Sequence, residues 1–317
     1  MVENDQLFDL TAEQRQEIDR LLESGRRDVP PFYNEGECDT YYYPVADGEL
    51  RVLHHNPKEK ETKRPILFLP GYISAPPSWT DFPRSHHNIG EYYYLESREK
   101  ASSKLKRHRK LKLTIEESAK DLQKAIKFLD LEGKDYILFA TSYGGSIVLQ
   151  AISENLINPS NVILFDPAVR WAYTSAFINF INFITPPFIL GILRLIIARL
   201  FLLRMKNKEQ KKRYMIKVRG VQAWKFRKCS FQNRKFDLRD KLPLIKNDVF
   251  IFHGPLDKYH PRIEFYSYAK AMPKGRFFFM ETEKADRELL AGVIATEFAK
   301  MAKEEVVPKS LLQFEIK

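Results

Sequence analysis

The chain has 317 residues, 44% of them hydrophobic, and carries 52 Lys and Arg against 41 Asp and Glu, a net +11. That is enough to bury a large core, as one big domain or one domain with an insertion. The two cysteines, Cys38 and Cys229, exclude a disulfide framework and require no oxidising compartment. The basic excess is concentrated: from Arg194 to Lys241 there are seventeen Lys and Arg against three acids, so the remainder is slightly acidic. A patch of that kind implies an anionic partner, whether lipid headgroups, nucleic acid or an acidic substrate.

The opening residues, MVENDQLFDL, lack a basic-then-apolar signal pattern, so the expectation is an intracellular, cytoplasmic protein. Thr11 to Ser24 is predicted helical, with Thr11 and Gln14 as a capping box, Gly25 as the stop and Ile18, Leu21 and Leu22 as a docking stripe. Tyr41 to Tyr43 and Leu50 to His54, joined through Ala46-Asp47-Gly48, read as an antiparallel hairpin. Pro65 to Leu69 is a buried strand ending in Pro70-Gly71-Tyr72, and Glu91 to Leu95 a further strand. Ser97 to Lys112 is polar and very basic and reads as a loop. Thr114 to Asp130 is a helix, with a second capping box at Thr114 and Glu117 and an apolar face of Ala119, Leu122, Ala125, Ile126 and Leu129.

The next stretch, YILFATSYGGSIVLQAIS from Tyr136 to Ser153, organises the rest. Its apolar run breaks at Ala140 to Gly145 and resumes with helical spacing at Ile147, Val148, Ala151 and Ile152. A strand turning abruptly into a helix at a serine, with small residues two positions either side, is the pattern of a nucleophile elbow; here the motif is A-x-S-x-G. The turn lifts the Ser142 hydroxyl clear of the sheet, and the helix N-terminus behind it offers amide donors to an oxyanion. Val162 to Phe165 is a strand ending in Asp166-Pro167, and Val249 to Phe252 one ending in His253-Gly254-Pro255-Leu256-Asp257. Arg276 to Met280 is the last strand and Arg287 to Lys303 the last helix. Strands alternating with helices predict a mostly parallel sheet covered on both faces and entered through an antiparallel hairpin.

In order and content the chain resembles the α/β-hydrolase superfamily, in its esterase and lipase-like branch, from about Tyr41 to Lys303. Pro70-Gly71-Tyr72, A-T-S-Y-G-G at the elbow and G-P-L-D after the penultimate strand carry the resemblance, in register. It implies an α/β-hydrolase fold with an inserted helical cap: an N-terminal helical extension at 1–38, a core at 39–170 and 242–317, and the cap at 171–241. It also implies that Ser142 is the nucleophile, that the backbone amides of Tyr143 and Tyr72 form the oxyanion hole, and that Asp257 orients the base. No cofactor or metal is implied. Asp166 is a fallback acid, although Asp-Pro also starts turns.

The base departs from the pattern. The superfamily's histidine follows the last strand, but Glu281 to Arg287 contains none, and none occurs after His260. Either another histidine has taken over, with His260 favoured and His86, His87 and His253 as further candidates, or the scaffold binds a lipid, a membrane surface or a protein partner without hydrolytic turnover. Ser97 to Ser103, at the same edge of the sheet, reads equally as a pocket mouth for a polar headgroup and as a solvated loop.

Trp171 to Leu193 runs 23 residues without a charge, but Asn179, Asn182 and Pro186-Pro187 interrupt a single span. With the arginines at 194, 199 and 204 and the lysines after them, it reads as two apolar helices with a basic flank. Such a cap would roof the site for an apolar or acyl substrate and rest peripherally on anionic lipid. Interleaved aromatics at Trp224, Phe226, Phe231 and Phe236 raise nucleic acid as a partner, but no nucleic-acid motif accompanies them, so that partner is not expected. The combined expectation is a serine hydrolase acting on an apolar ester.

Overall fold

A computed structural model describes residues 8–171, 220–255 and 262–317, apart from 284 and 303, with scattered positions between 185 and 215. Asp257 and His260, and most of the expected cap, lie outside the described residues.

Among the described residues ten strands form one sheet: β1 (Asp39–Val45), β2 (Gly48–His55), β3 (Ile66–Leu69), β4 (Tyr92–Leu95), β5 (Lys104–Leu105), β6 (Ile137–Thr141), β7 (Asn161–Phe165), β8 (Val249–Pro255), β9 (Gly275–Thr282) and β10 (Glu315–Ile316). Their order is β1-β2-β4-β3-β6-β7-β8-β9-β10, with β5 on β2. The run from β4 through β9 is parallel. The β1–β2 hairpin, its junction with β4, and β10 are antiparallel. β3, β6 and β7 are buried along their whole length, which is why they are written as continuous apolar runs rather than alternating ones.

The helices described from end to end are α1 (Ala12–Gly25), α2 (Asp81–Arg84), α3 (Ile115–Phe128), α4 (Tyr143–Ser153), α5 (Ala223–Asn233), α6 (Arg262–Ala271), α7 (Arg287–Lys300) and α8 (Lys309–Leu312). On one face of the sheet, Leu138, Ala140, Val162 and Leu164 pack with Leu122 and Ile126 of α3 and Ile147 and Val148 of α4. On the other, Phe139, Phe165, Phe250 and Phe252 pack with Leu290, Ile294 and Phe298 of α7. The capping box that opens α1 is present in full, with Ile18, Leu21 and Leu22 buried in that second layer. Thr114 caps α3 by accepting from the Glu117 amide.

The stretch after β4 differs from the basic loop expected of it. Glu96, Ser97, Arg98, Glu99, Lys100 and Ser103 are all buried, and Lys104–Leu105 joins the sheet as β5. Arg98 makes this tolerable: its guanidinium spans both carboxylate oxygens of Asp121 in α3 and donates to the carbonyls of Lys112 and Ala46, each at 3.0 Å. A buried cation with that many acceptors is a satisfied one.

Candidate active site

Small residues let β6 run straight into α4. A Cβ on Gly144 would overlap the carbonyl oxygens of Leu69 and Pro70, the latter at 2.8 Å, and one on Gly145 would meet the Pro167 ring at 2.8 Å. Between strand and helix, Ser142 adopts φ 47° and ψ −115°, a conformation that costs an L-residue on the order of 1–3 kcal/mol. Hydrogen bonds on both sides hold it there. Its amide donates to Phe165 O at 3.3 Å, and its carbonyl accepts from the amides of Ser146 at 3.2 Å and Ala168 at 3.0 Å. The side chain is half-buried beside the first turn of α4. An elbow of this form presents a hydroxyl where backbone donors of a helix start converge.

Tyr143 begins α4, and Tyr72 follows Gly71 in the turn after β3; an ideal Cβ on Gly71 would stand 3.3 Å from the Ser142 Cβ. Both amides expected at the oxyanion therefore belong to segments adjoining Ser142. Their side chains form a wall. The Tyr72 ring lies 5.3 Å from Tyr143, 5.2 Å from Trp171 and 5.6 Å from Phe226. The Tyr72 hydroxyl donates to Phe226 O at 3.0 Å and lies 3.1 Å from Ser230 Oγ; that of Tyr143 lies 3.6 Å from Cys229 Sγ. Burial pushes both phenols well above their ordinary range, and burial together with the nearby Glu99 carboxylate pushes the Cys229 thiol up to about 12. The thiol is therefore an inert packing group.

Phe226, Cys229 and Ser230 belong to α5, inside the stretch expected to be cap, and α5 is tied to the core. Asn233 accepts from the Ile115 amide at 2.9 Å and donates to Leu113 O at 2.9 Å. Lys225 donates to Lys100 O, Ser103 O and Ser103 Oγ at 2.6–2.8 Å. Burial lowers the Lys225 ammonium to about 8.

The described histidines divide clearly. His86 is buried beside Thr296 of α7 (Nδ1 to Oγ1 3.4 Å), and burial depresses it to about 3. His87 stacks on His55 at 4.8 Å. Both lie by the start of β4, where His55 pairs with Tyr92 and Gly90 faces His86, whereas Ser142 follows the end of β6. His253, at the end of β8, is buried between Phe265 and Phe279, and its Nδ1 lies 2.5 Å from Asp166 Oδ1. Arg287 Nε and Nη2 contact the second oxygen of Asp166 at 3.0 and 2.9 Å. The fallback acid and one fallback histidine are thus brought together. They stand one and two strands from Ser142, because the Asp166 amide donates to Phe252 O just as that of Ser142 donates to Phe165 O. Among the described residues His253 Nε2 has no hydrogen-bond partner. Among the described residues, no three His, Cys, Asp or Glu side chains converge as a metal site.

No family model matches the chain, and no curated protein matches it. Solved structures do. An esterase from Exiguobacterium antarcticum superposes with a TM-score of 0.62 at 16% identity, covering 83% of this chain and 100% of the other. A thermophilic esterase from Thermogutta terrifontis gives 0.58 at 16%, covering 79% and 93%. A putative lipase from Acinetobacter baumannii AYE gives 0.60 at 10%, covering 92% and 95%. The protein has the α/β-hydrolase fold. Sheet order, elbow and neighbours agree on it.

Proposed function

We propose that the protein is a serine hydrolase, esterase- or lipase-like, that cleaves an apolar ester through Ser142. The observation that carries this is the Ser142 backbone, held at φ 47° between a buried strand and the start of a helix. Strain of that kind persists where a surrounding structure enforces it, and it aims a hydroxyl outward. In the reaction, Ser142 Oγ attacks the ester carbonyl and its proton passes to a base. The Tyr143 and Tyr72 amides stabilise the tetrahedral oxyanion, and collapse expels the alcohol and leaves an acyl-serine for water to cleave. The wall of Tyr72, Tyr143, Trp171 and Phe226 suits an apolar acyl group.

His260 is the proposed base and Asp257 its orienting acid. The test is turnover of short- and long-chain aryl esters by wild type, Ser142→Ala, His260→Ala and His253→Ala. Loss in Ser142→Ala and His260→Ala supports the assignment. Loss in His253→Ala with activity kept in His260→Ala moves the base to the Asp166–His253 pair. No Ser142-dependent turnover of any ester favours a non-hydrolytic binder.

The reading extends to a peripheral contact between the cap and anionic lipid. Phe188, Ile192 and Ile196 recur every fourth position in residues assigned helical and are exposed, with Arg199 exposed beyond them. Apolar side chains at helical spacing beside cations fit an anionic bilayer surface. Among the described residues no helix is long and apolar enough to cross a membrane.

A further inference from the structure

The turn from Glu96 to Ser103 buries four ionisable side chains that the chemistry proposed for Ser142 does not use. Arg98 is accounted for by Asp121, and Glu96 by Arg51 at 2.7 Å. Lys100 is different. Its ammonium donates to the main-chain oxygen of Gly71 at 2.5 Å, and its counter-charge is its own neighbour, Glu99, at 2.8 Å. Burying such a pair is costly, and an apolar side chain of similar volume would pack there without the cost.

Gly71 is joined to Tyr72 by a trans peptide, since no cis bond occurs among the described residues. Across that rigid plane the Gly71 C=O and the Tyr72 N–H point in opposite directions, so fixing the oxygen fixes the N–H. The same oxygen accepts from the Ser74 amide at 3.2 Å, closing a turn in which Ile73 is held at φ 51°. A left-handed isoleucine relaxes unless its surroundings hold it. Lys100 is itself immobilised. Its carbonyl accepts from Lys225 Nζ at 2.7 Å and Ser103 Oγ at 2.9 Å, and its amide donates to Ser97 O at 3.1 Å. At the other end, the Tyr72 hydroxyl is anchored on α5.

The geometry points to Lys100 as a positioning residue: its ammonium on the Gly71 oxygen aims the Tyr72 N–H at the oxyanion formed on attack by Ser142. A cation on the carbonyl also polarises the peptide and makes that N–H a stronger donor. Glu99 balances the charge. The inference rests on the hydrolase reading above and deepens it.

Lys100→Met is compared with wild type on an aryl ester, with kcat and KM separated. Affinity is also measured for an alkyl boronic acid, which forms a tetrahedral adduct with an activated serine. Loss of one oriented donor is expected to lower kcat by about 10²-fold. KM should stay within about twofold, as for an interaction made only in the transition state. Boronate affinity should fall by a factor similar to that in kcat, and Lys100→Arg, which keeps a cationic donor, should recover part of both. If Lys100→Met does not fold, the double change Glu99→Gln with Lys100→Met removes both buried charges together and is read in its place. Wild-type kcat in the folded variant overturns the inference, as does a loss confined to KM with boronate affinity unchanged; either leaves the role of Ser142 standing. Absence of Ser142-dependent turnover and of a boronate adduct in wild type overturns both.

Discussion

Two turns at the carboxyl edge of the sheet are held in opposite ways. The elbow from Ala140 to Gly145 is held by scarcity of side chain: glycine backbone lies against the carbonyls of Leu69 and Pro70, and main-chain hydrogen bonds enforce a strained serine. The turn from Glu96 to Ser103 is held by abundance. Its charges are carried into the interior, where Asp121 meets Arg98 and the Gly71 oxygen meets Lys100, while Lys225 binds the turn's own carbonyls. The first tolerates no added atom, and the second tolerates no missing partner. One aims a hydroxyl by strain, the other a peptide by charge.

The sharpest test of the elbow is chemical: Ser142→Ala should lower turnover by about 10⁴-fold or more without unfolding the protein, measured by ester hydrolysis beside thermal melting. The two modes of holding can then be set against each other in stability. Arg98→Leu strands the Asp121 carboxylate in the core and should cost about 3–5 kcal/mol in urea unfolding. Gly144→Val drives a branched side chain into backbone that cannot move aside and should cost about 3 kcal/mol or more. If Arg98→Leu costs under about 1 kcal/mol, the charged turn is ornament and the contrast fails.

Lys225 gives the turn a pH signature. Its ammonium titrates near 8 when folded and near 10.5 when unfolded, so between those values the unfolded chain binds the extra proton. Wild type should therefore gain up to about 3 kcal/mol over Lys225→Met as pH rises from 8 to 10.5, with no further difference below 8. At the far side of the sheet, Glu91 is lowered to about 2, mainly by the His54 hydrogen bond, with Lys60 and Tyr93 adding to it. Its contribution, about 1 kcal/mol in so half-exposed a place, is present above 4.5 and lost as pH falls through 2; Glu91→Gln should lack that acid limb. The smallest effect expected is co-sedimentation with anionic vesicles, weakening as salt rises; equal binding to neutral vesicles would count against the cap contact.

The contrast also explains what was legible beforehand. The elbow is written locally: an apolar strand, a serine between small residues, and helical spacing, all within Tyr136 to Ser153. The α1 capping box, the β1–β2 hairpin and the buried strands are local in the same sense and appear where expected. The charged turn is not. Ser103 and Lys225 are 122 positions apart and Asp166 and His253 are 87 apart, so no local pattern announces either pairing before the fold brings the partners together. β10, two residues long, carries no periodicity, and its pairing with β9 exists only in three dimensions.

The thiol on the buried face of α5 has a practical consequence. Cys229 is wholly shielded beside Tyr143, whereas Cys38 is only half-covered against the layer on the other face of the sheet, and these are the protein's two thiols. An alkylating reagent would mark Cys38 promptly and reach Cys229 only when the helix that carries it lifts from the core. The lag between the two modifications is thus a built-in clock for how often that aromatic wall comes apart, readable by mass alone and without any substrate.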